Sequence, residues 1–177
     1  INITKGSDKK RHFKCKNNHS FIGQIKKITI GRWCPKCKNK TEVKLLKFLE
    51  NKYGSIIYQK RMKIEWLNNK LIMFDFWLQD KHNHILIELD GPQHFIQVSN
   101  WQSPEDTINN DVEKMLFAIQ IGYSIIRILQ EDVLDDLNNW EEKLIQVIEN
   151  IKPKEVIYID NENIYNAHKI LMDEICL

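Results

Sequence analysis

Phe74-Asp75-Phe76-Trp77-Leu78 and, one short turn later, Ile85-Leu86-Ile87-Glu88-Leu89-Asp90-Gly91-Pro92-Gln93-His94 put three carboxylates into the most strand-like part of the chain, with a histidine just beyond. A strand repeats every two residues, so Ile85, Ile87 and Leu89 are expected on one face and Leu86, Glu88 and Asp90 on the other. By the same alternation Asp75 is expected to project opposite to both Phe74 and Phe76. Acids grouped in this way repel one another and resist burial unless a cation or a proton offsets the charge. A hard divalent cation of the kind that serves phosphodiester hydrolysis meets that need. The competing reading is an edge hairpin with solvated acids.

Outward from these strands the punctuation is regular. Thr41 to Tyr53 carries Leu45, Leu46, Leu49 and Tyr53 on one helical stripe and stops at Gly54. Ile56 to Trp66 and Lys70 to Leu78 read as strands, and a turn at 80–83 leads into the strand that ends at Asp90. Ser103-Pro104-Glu105-Asp106 has the signature of a helix start, and that helix runs to Gly122 with Ile108, Val112, Met115, Leu116 and Ile119 on one face. Tyr123 to Leu129 reads as a buried strand, 131–137 as a short helix and Trp140 to Ile151 as a longer one. Pro153 ends it, and Val156 to Ile159 and a last helix follow. The core order of helix, three strands, helix and strand implies an α/β fold with a mixed sheet flanked by helices.

Charge divides the chain. Residues 1–47 hold 14 Lys and Arg against only Asp8 and Glu42, whereas residues 48–177 hold 12 basic against 22 acidic side chains. A cationic module of this kind is the footprint of a nucleic-acid binder. Within it lies Cys15-x3-His19-x14-Cys34-Pro-Lys-Cys37, two short knuckles with the spacing of a tetrahedral Zn²⁺ site. Phe21 to Ile25 and Ile28 to Ile30 read as the hairpin or ribbon that joins them. Four filled positions make the zinc structural. Cys176 is far from this cluster and reads as an ordinary thiol. No apolar run reaches the length of a membrane span, so an intracellular protein that is not secreted, and not in a membrane, is expected. The chain opens at Ile1 with no initiator Met, and a piece of a longer protein is one reading of that. Three modules are expected: 1–40 as the zinc ribbon, 41–152 as the core, and 153–177 as a strand-helix extension packed on the core.

Other residues could join the acidic strands in chemistry. Glu42 is in register with the apolar stripe of the first core helix, although an acid in a first turn also serves the helix dipole. Asp111 is at the margin of the apolar face of the next long helix, with Lys114 nearly a turn further on, a spacing that also suits a surface ion pair. His94 is placed to orient or deprotonate a water.

On Glu42, Asp75, the run Glu88-Leu-Asp90-Gly-Pro-Gln93-His94, and Asp111 leading into Gly122-Tyr-Ser-Ile-Ile-Arg127, residues 41–130 resemble the restriction-endonuclease-like superfamily. Within it they are similar to very-short-patch repair nucleases and EDxHD homing endonucleases. A zinc ribbon ahead of such a core resembles mobile-element endonucleases of large DNA viruses, which would place the protein in the nucleus or cytoplasm of a host cell. The resemblance implies a Mg²⁺- or Mn²⁺-dependent endonuclease acting on double-stranded DNA. Asp75 and Glu88, with Asp90, would hold the metal, and His94 would be the base, positioned by Glu42 or Asp111. In the superfamily's commonest motif a lysine follows the second acid by two residues; here Asp90 stands in that place and either binds metal or shapes the loop. Gln93 would hold a water or the scissile phosphate. Lys9, Lys10, Arg11, Lys26, Lys27 and Arg32 would grip the phosphate backbone. The alternatives are a catalytically silent DNA- or RNA-binding protein and a nickase for mismatches or junctions, acting as a monomer or a transient dimer.

Overall fold

The computed structural model describes residues 4–15, 18–29, 34, 40–64, 70–80, 83–98, 102–160 and 162–176. The chain forms two compact units, residues 1–40 and 41–177. In the first, β1 (Lys10–Lys14) and β2 (Ser20–Gln24) make an antiparallel hairpin with Phe13 opposite Phe21. Their rings stack with centroids 5.7 Å apart. The chain then enters α1 (Ile25–Thr29), so Ile28 and Thr29 are helical where an arm of the ribbon was expected. Tertiary packing overrides the β-branched composition here: Ile28 packs against Cys15, Phe21 and Cys34, and a β-carbon on Gly23 would lie only 3.0 Å from its Cδ1.

The second unit runs α2 (Lys40–Tyr53), β3 (Ile57–Ile64), β4 (Lys70–Asp80), β5 (Asn83–Asp90), α3 (Pro104–Gln120), β6 (Ser124–Leu129), α4 (Gln130–Asp135), α5 (Trp140–Asn150), β7 (Val156–Ile159) and α6 (Asn166–Cys176). One five-stranded sheet has the order β3-β4-β5-β6-β7. The pairs among β3, β4 and β5 are antiparallel, while β5–β6 and β6–β7 are parallel. The unit is therefore α/β with a mixed sheet, in the expected order of elements. The C-terminal segment does more than pack on this core, because β7 is the fifth strand of the sheet.

Local chemistry explains the boundaries. Gly54 takes φ +81° and closes α2 through its N–H on the Glu50 carbonyl. Ser103 Oγ accepts the Asp106 N–H at 3.1 Å ahead of Pro104, as its sequence signature predicts. The central strands β5 and β6 are covered on both faces, which is why they read as nearly continuous apolar runs. One face packs Phe76, Leu78, Ile87 and Ile126 against Leu45 and Leu49 of α2 and Trp140, Leu144 and Ile148 of α5. The other packs Ile72, Phe74, Leu86 and Ile125 against Val112, Met115 and Ala118 of α3 and Met172 of α6.

Phe74 and Phe76 therefore belong to opposite layers, which corrects the expected alternation around Asp75. The β3–β4 ladder runs through Tyr58↔Phe76, omits Gln59 and Asp75, and resumes at Lys60↔Phe74 in unchanged register. No residue is inserted; the ribbon turns over at this point, with Gln59 at φ +52°. That left-handed conformation costs a non-glycine residue about 1–2 kcal/mol. The β4–β5 ladder also stops at Phe76↔Ile87. Beyond it the Asp75 side chain takes over as acceptor, with Oδ2 receiving the Leu89 N–H at 2.8 Å.

Candidate functional site

The turnover of the β3–β4 ribbon gathers an acidic centre. Asp75 from β4 and Glu88 from β5 influence each other electrostatically, and Glu42 from the first turn of α2 acts on Asp75. Tyr58, next to the left-handed Gln59, donates its hydroxyl to Glu42 Oε2. Burial is the largest influence on both strand acids and raises their pKa values. For Asp75, the Leu89 N–H and Lys114 oppose burial while Glu42 and Asp90 reinforce it. For Glu88, burial and Asp75 outweigh Lys114 and Arg127 and push the carboxyl up to about 7. Lys114 of α3 places Nζ 2.8 Å from Glu88 Oε1 and 5.1 Å from the centre of the Phe74 ring. The ammonium thus stands inside the acidic centre instead of forming the surface pair with Asp111 that its spacing suits.

Beside this centre lies a buried charge network around Arg127, which is fully inaccessible in β6. Its Nε is 2.8 Å from Asp90 Oδ2 and its Nη2 is 2.6 Å from Asp90 Oδ1, a bidentate pair. The same Nη2 is 2.8 Å from Asp111 Oδ2 and 3.4 Å from His94 Nδ1. Asp90, His94 and Asp111 bring ligand-type atoms within 4.8 Å of one another, a grouping that could hold a metal. The cation among them here is the guanidinium. Asp90, expected to share a metal with Asp75 and Glu88, is bound up with Arg127 and with the Tyr165 hydroxyl, 2.8 Å from its Oδ2.

His94 comes from a single 3-10 turn, Pro92–His94, immediately after β5. Asp111, not Glu42, is its partner, with Nδ1 to Oδ2 at 2.6 Å, while Nε2 is 3.6 Å from Asp90 Oδ1. Burial disfavours the charged ring, but the Asp111 hydrogen bond and the two carboxylates outweigh it and raise the His94 pKa. Asp111 goes the other way: burial would raise its pKa, but hydrogen bonds from His168 and His94 and the charge of Arg127 hold it well below the usual carboxylate range. The Gln93 side chain folds back with that of Gln130 over Gly91, into space a β-carbon there would need.

In the N-terminal unit Cys15, His19 and Cys34 bring their ligand atoms within 4.8 Å of one another, with Cys34 Sγ 3.8 Å from His19 Nδ1. Two buried thiols and an imidazole fit Zn²⁺. The expected fourth ligand, Cys37, lies outside the described residues, as does Arg32. Lys9, Lys10, Arg11, Lys26 and Lys27 are exposed, and Lys26 is paired with Asp8. Among the described residues, the apolar cluster of this unit is Cys15, Phe21 and Cys34 with Phe13 and Ile28 against them. Zinc-site formation supplies about 10–16 kcal/mol in small modules, far more than such a cluster. If Zn²⁺ fills this site, chelation is expected to collapse the amide signals of residues 4–15 and 18–29 to random-coil positions in NMR spectra, with the thermal melt of unit 41–177 unmoved.

Sequence reasoning named Arg127 and Lys114 without their partners in the fold, and missed Tyr165 and His168. Arg127 was legible in principle, since a lone charge in Ser-Ile-Ile-Arg-Ile-Leu needs a buried partner. Lys114, Tyr165 and His168 carry no local signal, because their partners are brought in by the fold. Comparison of the chain with protein-family models, curated proteins and solved structures finds no match in any of the three.

Proposed function

We propose that this protein is a divalent-metal-dependent DNA endonuclease with a restriction-endonuclease-like core, of the kind found in very-short-patch repair and EDxHD homing nucleases, carried with an N-terminal zinc ribbon. The observation that carries the reading is the pairing of two strand acids with raised pKa values, the half-buried Asp75 and the buried Glu88, with an adjoining His94–Asp111 dyad. Carboxylates with raised pKa values beside a His–Asp pair are the kind of grouping found at functional sites. The donor set of hard carboxylate oxygens fits Mg²⁺ or Mn²⁺, held by Asp75 and Glu88. A bound ion supplies Lewis-acid polarisation of the phosphate and acidifies water.

The protein's own residues do the rest. Asp111 accepts from His94 Nδ1, which leaves Nε2 to take a proton from water or return one to the leaving oxygen. Arg127 pairs with Asp90 and Asp111 and fixes both carboxylates in place. Lys114 offsets Glu88, and were Glu88 to hold a metal the lysine ammonium would be free to pair with a phosphate oxygen. The exposed Lys9, Lys10, Arg11 and Lys27 suit phosphate contacts whose affinity falls steeply with salt.

The test is nicking of supercoiled plasmid with Mg²⁺ or Mn²⁺, with Asp75→Ala and His94→Ala as controls. At saturating metal the rate is expected to rise about tenfold per pH unit below the His94 pKa and level off above it, since the neutral ring is the base. In the metal-free protein the Asp111 hydrogen bond and the neighbouring carboxylates raise that pKa. Nicking that persists in both variants would overturn the assignment, and no cleavage with any divalent metal would favour a binding protein.

A further inference from the structure

We propose that His168, assisted by Tyr165, is the positioning group for His94, so that the C-terminal segment completes the catalytic centre. This rests on the nuclease reading of that centre and extends it to a segment with no role there. His168 of α6 and Tyr165 just ahead of it are both fully inaccessible. His168 Nε2 is 3.1 Å from Asp111 Oδ2, the same oxygen that His94 Nδ1 meets at 2.6 Å. Asp111 is in its ionised form, so both rings donate to it. The two histidines thus share one carboxylate oxygen from opposite elements, and His168 limits how that carboxylate can rotate.

A second hold acts on the backbone beside His94. Phe95 packs edge-on against Tyr165, with centroids 5.1 Å apart, and against His168 at 5.8 Å. Tyr158 flanks both rings from β7, 5.0 Å from Tyr165 and 6.5 Å from His168. Tyr165 meanwhile donates to Asp90, the other carboxylate facing His94. Charge neutralisation alone does not require this arrangement, because Arg127 already meets both carboxylates. What His168 and Tyr165 add is direction: they hold the Asp111 oxygen and the His94 turn in one relative placement.

The experiment compares the full-length wild type with His168→Gln, His168→Asn and His168→Ala. Glutamine carries an N–H to about the place of Nε2, whereas asparagine is too short. Two readouts are taken on protein shown to be folded by near-ultraviolet circular dichroism: the single-turnover nicking rate, and the hydrogen-bonded Nδ1 proton of His94 in NMR spectra. Expected are near wild-type values for His168→Gln, and for His168→Asn and His168→Ala a rate lower by about 10- to 100-fold with unchanged DNA affinity. The His94 proton signal should shift or vanish in the latter two only. An unshifted His94 signal in His168→Asn, or equal losses in the glutamine and asparagine variants, overturns the proposal. If the wild type cuts no DNA, the nuclease reading fails, while the NMR comparison still decides whether His168 positions His94. Should His168→Ala not fold, the glutamine–asparagine pair carries the test.

Discussion

Glu88→Gln is expected to yield a folded protein that has lost at least about 10³-fold in metal-dependent cleavage, the several kcal/mol of charge stabilisation that a properly held metal supplies. Glu88 is 5% exposed, and burial with Asp75 beside it pushes its carboxyl up to about 7. A raised carboxyl pKa means that the native state resists ionisation. The charged form therefore destabilises the metal-free protein progressively from the unfolded pKa of 4.5 up to about pH 7, and by a constant amount above it. That span corresponds to about 3 kcal/mol, which glutamine removes. The variant should melt higher than metal-free wild type at pH 8 and alike at pH 4. Metal binding to the wild type should release a proton, with Mn²⁺ affinity by calorimetry rising about tenfold per pH unit below 7 and levelling off above. Loss of cleavage together with a lower melting temperature at pH 8 would contradict the assignment, since it would make Glu88 a structural partner of Lys114.

Arg127→Leu should destabilise the 41–177 unit by about 3–5 kcal/mol. The guanidinium is fully buried with Asp90 at 2.6 Å and Asp111 at 2.8 Å, and these carboxylates are 2% and 3% exposed. Burial works against its charge, but the two carboxylates keep it ionised. Leucine leaves two desolvated acids facing each other beside His94 with their guanidinium partner gone. Urea denaturation of the isolated unit at neutral pH measures the loss. Asp90→Asn combined with Arg127→Leu should recover part of it, because the asparagine removes a buried charge that the leucine stranded. A stability change below about 1 kcal/mol for Arg127→Leu would mean that water reaches this network and that the acids are not held as described.

Much of the second unit was legible from local rules. The helix stripe of Leu45 and Leu49 with Gly54 behind it, the Ser103-Pro104 start and the apolar run of β6 each follow from one stretch of chain. Where reasoning failed, non-local geometry was in control. Strand alternation placed Phe74 and Phe76 together, and a turnover of the ribbon at Gln59 and Asp75 separated them, because Tyr58 and Phe76 pack toward α2 while Met62 and Phe74 pack toward α3. In the first unit, Ile28 joined the Cys15 cluster through a helix.

By itself the sequence determined an α/β unit, a basic Cys/His module ahead of it, and a carboxylate-rich centre on β4 and β5 with His94 and Asp111 near it, because periodicity, capping and the cost of burying charge are local properties. Only the tertiary structure decided who partners whom. It put Arg127 between Asp90 and Asp111, Lys114 on Glu88, and Tyr165 and His168 beneath the His94 turn. Those choices depend on distances between elements far apart in the chain, set by packing on both faces of one sheet.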